Sequence, residues 1–263
     1  MTEVLDIGPW RLAASLLLIV AVFVLSFRER LGLERSLLVG TVRTFLQLFL
    51  VGYVLEAIFA LEHWAPVLGA VAVMVLVATH TAVSRLKRRV AGMWAFAAIA
   101  LTAGSGLTLA FVGEVVIGVR PWFDPQSLIP IAGMIVGNAM NGAALAGERF
   151  QAELKNRVPE VETLLALGFP APEALAALRQ EALRAALIPS LNAMMVVGIV
   201  QLPGMMTGQI LAGASPLVAV RYQIVVMLML TAAAAFTSVL FLSLLVRRYY
   251  TPAHQLRRHL VGP

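Results

Sequence analysis

The chain has no cysteine, only two lysines and few charged residues of either sign. Each shortage excludes something. Without cysteine there is no disulfide, no thiolate metal site and no thiol redox chemistry. The two lysines, Lys87 and Lys155, each follow a leucine. Neither fits the G-x-x-x-x-G-K-[ST] loop that cradles nucleotide phosphates, so this polypeptide does not hydrolyse ATP by that route. The charged fraction is 13%, where a soluble domain carries roughly a quarter.

What fills the chain instead is apolar. Hydrophobic residues make up 60% and mean hydropathy is +0.88. Membrane spans, rather than one aqueous core, set such a fold. The net charge of +6 is not a nucleic-acid footprint, because the basic residues cluster at the ends of apolar runs, where they orient helices. Glu3 and Asp6 precede the first basic residue, Arg11, whereas a signal peptide starts basic. Residues 11–27 are therefore expected to be a retained first span.

Apolar runs over 10–27, 37–59, 65–83, 91–112, 128–146, 185–202 and 218–246 read as spans. Arg28, Arg30 and Arg35 follow the first; Arg85, Lys87, Arg88 and Arg89 the third; the charged interval 148–185 the fifth; Arg247, Arg248, Arg257 and Arg258 the last. The alternation predicts an all-α integral membrane protein of about seven transmembrane helices, N-terminus outside and C-terminus cytoplasmic, with a helical cytoplasmic loop between spans 5 and 6. No long internal repeat is visible, which argues against inverted-repeat secondary transporters. The stretch 203–216 carries Pro203, Gly204, Gly208 and Gly213 and is expected to be a re-entrant turn or an external loop.

The interval 148–185 holds eleven of the charges in a chain with few, so it lies in water: Arg149, Lys155, Arg157, Arg179 and Arg184 against Glu148, Glu153, Glu160, Glu162, Glu173 and Glu181. Leu164, Leu165 and Leu167, then Leu175, Ala176 and Leu178, give it apolar faces at helical spacing. An amphipathic loop of this kind is a docking place for a soluble partner.

Inside the spans, polar residues are the candidates for a translocation path. Arg43 and Gln47 lie one turn apart, and an arginine in hydrocarbon costs at least ~2.5 kcal/mol. The opposing reading is an arginine near a span end that reaches out to the interface. Asn138, Asn141 and Asn192 either line the path or hydrogen-bond between helices. Gly133 and Gly137 form a GxxxG pair, extended by Gly142 and Ala146, that allows close helix packing. Met194, Met195, Met205 and Met206 flank the broken stretch, with Thr207 and Gln209 beside them; thioethers suit soft Cu(I), but methionine is also a common gap filler. The metal ligands, if any, stay unassigned. Two rival classes remain: an ion-driven secondary transporter, for which only Glu56 and Glu114 lie near a span, and an intramembrane hydrolase built on Ser105 and His80.

Within the charged interval, Glu162-Thr-Leu-Leu-Ala-Leu-Gly168 resembles the E-x-x-x-x-x-G core of the coupling loop of ABC importer permeases, although Pro189 follows later than the importers' proline. The segments RTFLQLFLVGYVLEAIF (43–59), IPIAGMIVGNAMNGAALAGERF (129–150), LLALGFPAPEAL (164–175) and above all LPGMMTGQILAG (202–213) are similar to the FetB-type permeases. The resemblance covers nearly the whole chain. It implies a single transmembrane permease domain over 1–263 with a coupling loop at 148–185, whose Glu162, Leu165, Gly168 and Pro170 meet a separate cytoplasmic ABC ATPase. It further implies a permease homodimer in the bacterial inner membrane, with ATP and magnesium bound by the ATPase and no cofactor in the permease. The substrate implied is iron or a related metal, exported; plant members point instead to a nucleotide sugar such as UDP-glucose. The expected path residues are Arg43, Gln47, Asn138, Asn141, Asn192, Met205, Met206 and Gln209.

Overall fold

The computed structural model describes residues 8–61 and 63–261; Glu3, Asp6 and Glu62 lie outside them. The described residues form helices joined by turns, in two compact units: residues 8–61 with 211–213, and residues 63–210 with 214–261.

The first unit is a helical hairpin. α1 (Pro9–Arg28) opens on a proline, whose missing N–H is no loss in a first turn. α2 (Glu34–Phe59) follows a short turn in which Arg30 and Gly32 take positive φ. The Ser26 hydroxyl closes that turn, donating to Glu34 Oε1 at 2.8 Å and accepting from the Leu33 N–H at 3.3 Å. Ser26 is the only buried residue of α1, and α2 buries none. Helices this apolar, which cover little of each other within the hairpin, need further apolar surroundings.

The second unit is built around α5 (Pro125–Asn156), which packs against α3 (Trp64–Arg85), α4 (Met93–Phe111), α8 (Ala176–Val196) and α10 (Pro216–Val246). A π-helical turn, Val112–Ile117, extends α4. Asp124 caps α5, accepting from the Ser127 N–H at 2.9 Å, and Pro125 occupies its first position. Ile131, Ile135, Ala139, Gly142, Ala146, Phe150 and Leu154 are all buried on one stripe of α5 at spacings of three and four. The stripe serves two clusters. One is made with Ala78, Leu101, Val226, Met229 and Ala233; the other joins Phe150 and Leu154 to Leu86, Met93, Leu178, Phe241, Leu245 and Tyr249. The end of α5, α6 (Val158–Ala166), α7 (Ala171–Ala174) and the first half of α8 make up the charged interval, and its apolar residues Val161, Ala174, Leu175 and Leu178 belong to the second cluster. The interval is thus a folded cap on the helix ends, not a tether.

Among the described residues, six helices are long and apolar enough to cross a membrane: α1, α2, α3, α4 with its π-turn, α5 and α10. The expected span 6, 185–202, is not a continuous helix. α8 ends at Val196, where Gly198 takes φ +83° and the chain turns back on itself, with the Gly198 N–H donating to the Gln201 carbonyl at 2.9 Å. Pro203 then precedes a separate short helix, α9 (Gly204–Leu211), which is about 12 Å long and cannot cross ~30 Å of hydrocarbon. The expected span 5 likewise runs past 146 to Asn156 as one helix.

Small residues do allow close packing, but not at the expected pair. A Cβ at Gly137 would meet nothing within 4 Å, and one at Gly133 only the Met74 side chain at 3.9 Å. The close approaches are Gly104 against Thr237, whose backbone nitrogen would lie 2.9 Å from an added Cβ; the expected Gly142 against α10, where an added Cβ would lie 3.0 Å from Ser238 and 3.2 Å from Ala234; and Gly147, where it would lie 2.7 Å from Leu86 and 2.9 Å from Phe241. Gly104 thereby joins α4 to α10, and Gly147 joins α5 to both neighbours. Gly104→Val should destabilise the second unit by about 1–3 kcal/mol through overpacking. Thermal unfolding in detergent checks this, with Gly137→Val as the tolerated comparison.

Candidate functional site

Two places in the second unit combine exposure or a cavity with unusual chemistry. The first is the turn after α6. Leu167 caps the helix and Gly168 sits in the left-handed region at φ +89°. The Gly168 N–H donates to the Leu165 carbonyl and the Phe169 N–H to the Leu164 carbonyl, each at 3.1 Å. This is the paired C-terminal closure that favours glycine at the residue after the cap. It turns Leu167 and Phe169 outward: they are 70% and 46% exposed. An added Cβ at Gly168 meets nothing, so the glycine is there for its φ.

Of the expected coupling residues, Leu165 is half-buried against the cluster under α6, and Pro170 caps α7. Glu162 forms a two-pronged ion pair with Arg258 at the start of α11 (Arg258–Val261). The guanidinium holds the Glu162 carboxyl below its ordinary range, and the carboxylate raises Arg258 in turn, so the pair is charged at neutral pH. A second tie runs from the Ala171 N–H to His254 Nδ1 at 3.2 Å. The C-terminal segment therefore holds α6 and α7 from one side. Glu181 of α8 holds the other, paired with Arg149 at 2.6 Å and Arg157 at 3.8 Å; Arg157 also pairs with Glu160 at 2.5 Å. Single exposed pairs contribute little, but a linked set fixes orientation. Sequence reasoning missed Leu167 and Phe169 as outward-facing residues, although two large apolar residues either side of a helix-ending glycine are a readable sign. Arg258 and His254 lie too far along the chain to be tied to this turn by spacing.

The second place is a cavity of about 350 Å³ between α8, α9 and α10. Met194, Val197, Gly198, Leu202, Met206 and Val220 line it together with Gln223, Ile224, Met227 and Leu228. No ionisable side chain lines it. Gln223 is 5% exposed and its Oε1 has no partner. Met205, beside Met206, turns away and packs against the membrane-level cluster with Met229. Gln209 also holds an unpartnered Oε1, one turn after Met206 on α9.

The other expected path residues lie elsewhere. Asn138 donates to the Leu230 carbonyl at 2.7 Å and to Ser190 Oγ at 3.3 Å, tying α5 to α10 and α8. Asn141 accepts from Arg85 Nη1 at 2.9 Å, tying α5 to α3. Each amide makes its interhelical bonds with one of its two polar groups, Nδ2 of Asn138 and Oδ1 of Asn141. Asn192 is exposed on α8; Arg43 and Gln47 are exposed, one turn apart, on α2 of the first unit. Ser105 is buried in the α4 seam with its hydroxyl unpartnered, and His80, exposed on α3, makes no hydrogen bond to it. Glu114 pairs with Arg120 at 2.8 Å. Among the described residues, no three of His, Asp or Glu gather as a cage for a hard cation.

The profile of the family described as "Uncharacterised protein family (UPF0014)" matches residues 9–250. A UPF0014 membrane protein of Synechocystis is 39% identical, over 87% of this chain and 88% of its own length. The "Probable iron export permease protein FetB" of Escherichia coli is 36% identical over 93% of both chains. The "Protein ALUMINUM SENSITIVE 3" of Arabidopsis thaliana is 37% identical over 96% of this chain and 91% of its own. No solved structure matches. A profile match across nearly the whole length, together with six helices of spanning length and apolarity, shows a multi-pass membrane protein that belongs to the UPF0014 family.

Proposed function

We propose that this chain is the permease subunit of an ABC exporter, working as a homodimer with two copies of a separate ATPase that binds ATP and magnesium. The observation that carries this reading is the Leu167–Gly168–Phe169 turn. It presents two large apolar side chains to water from a helix clamped on both sides. An apolar knob on a rigid mount is what a docking contact needs, because an exposed anchor that is already ordered loses little freedom on binding. The basic clusters support a cytoplasmic side for this turn, the end of α5 and the C-terminus. The lack of a phosphate loop in this chain agrees with hydrolysis by a separate partner.

The name of the Escherichia coli relative supports metal export as the activity, with iron the first candidate.

Two outcomes test the docking reading. Leu167→Asp with Phe169→Asp should weaken co-purification with the ATPase by roughly tenfold or more, as loss of two interface anchors does. Membrane insertion and thermal stability should stay unchanged; intact co-purification would remove the turn from the interface. Gly168→Val forces a β-branched residue into the left-handed region, at about 1–2 kcal/mol. It should uncouple ATP hydrolysis from metal efflux in vesicles holding both subunits, whereas Arg258→Ala, which only frees one side of the clamp, should lower coupling without abolishing it. The ATPase rate at fixed internal iron, divided by efflux, is the readout.

A further inference from the structure

We infer that the cavity between α8, α9 and α10 is a binding site for a soft, weakly hydrated monovalent cation of the chemistry of Cu(I) or Ag(I), held by the thioethers of Met194, Met206 and Met227 and the amide oxygen of Gln223. The inference rests on the permease reading only for its place in transport, not for binding.

Three observations converge. The first is where the methionines point. Met205 and Met229 fill the core beside this site, as methionine commonly does, while Met194, Met206 and Met227 face empty volume. They come from three different helices, so they surround the space rather than stripe one face. The second is the Gln223 amide. It stands one turn before Met227 on α10, 5% exposed, with Oε1 unpartnered at the cavity wall. A buried acceptor without a partner is destabilising, so this oxygen suits a ligand that brings positive charge or a donor. The third is charge. No Asp, Glu, Lys, Arg or His lines the cavity. A divalent ion would enter with its charge uncompensated and its strong hydration lost. A monovalent, easily dehydrated ion loses least, and thioethers select soft ions of that kind over Fe(II) or Zn(II).

Thr231 sharpens the geometry. Its hydroxyl bonds the Met227 carbonyl at 3.0 Å and lies 3.2 Å from Met194 Sδ. Donation to Met194 Sδ positions the sulfur at the wall, and a thioether sulfur has a second lone pair left for a metal.

The test is Ag(I) binding to the purified full chain in lipid nanodiscs, without any ATPase and in chloride-free buffer, read by calorimetry and by metal retained after desalting. The expected result is one tight equivalent per chain, with Fe(II) and Zn(II) failing to compete. Met194→Leu, Met206→Leu and Met227→Leu together keep the volume and should lower affinity by roughly a hundredfold. Gln223→Leu should lower it by roughly tenfold. The Met205→Leu, Met229→Leu pair should bind like wild type. No stoichiometric Ag(I), equal binding by the triple variant, or Fe(II) competing at equal concentration would each overturn the inference. Ag(I) binding by a chain that captures no ATPase would keep the site and defeat the ABC reading. An ATPase complex on a chain that binds no Ag(I) would do the reverse.

Discussion

A 32-residue helix cannot fit within a bilayer's hydrocarbon. α5 is about 48 Å long against a core of ~30 Å, so its last turns must stand in water. Much of the second unit follows from that length. The same buried stripe that meets α3, α4 and α10 at membrane depth continues through Phe150 and Leu154, where it meets α6 and α8 instead. The charged interval is therefore anchored by the apolar packing that holds the membrane helices together, and its outer charges orient it. A protein interior at crystal-like density transmits displacement rather than absorbing it. The exposed turn at Gly168 is mounted on that interior.

Much of this was readable in sequence because it rests on composition and period. Apolar runs, basic clusters at alternate ends and leucines at helical spacing in 148–185 are local signals, and six of the expected spans appear as helices. The seventh failed for a physical reason. The run 185–202 is apolar enough, but Gly198 and Pro203 end the helix at Val196, and hydropathy carries no record of where a backbone turns. The same limit governs the site residues. Asn138 and Asn141 look alike at three-residue spacing, yet one reaches Leu230 and Ser190 and the other Arg85. Which partner an amide finds depends on neighbours fifty or more positions away. Gly133 and Gly137 match a packing motif that Gly104 and Gly147 do not, yet the close contacts belong to the latter, because α10 and Leu86 happen to cross there.

The Met-Met pair shows the point in its smallest form. Met205 and Met206 are adjacent, and adjacent residues of a helix point about 100° apart. One therefore enters the core and the other the cavity, a difference that no composition argument separates. The sequence could nominate the pair but not divide it.

α8 and α10 connect the two places this protein sets apart. α8 begins among the charges, with Glu181 held by Arg149 and Arg157, and ends at Met194 on the cavity wall. α10 runs alongside, hydrogen-bonded to it by Arg179 and Ser243 at 3.0 Å, with Gln223 and Met227 at its far end. Between the two ends of α8 stands Pro189, which removes one backbone hydrogen bond and strains the turn before it. A helix weakened at one point bends there, rather than along its length. The charged cap, Pro189 and the cavity-lining Met194 therefore lie in that order along one helix, and the one position where its backbone ladder is interrupted falls between the two places of unusual chemistry.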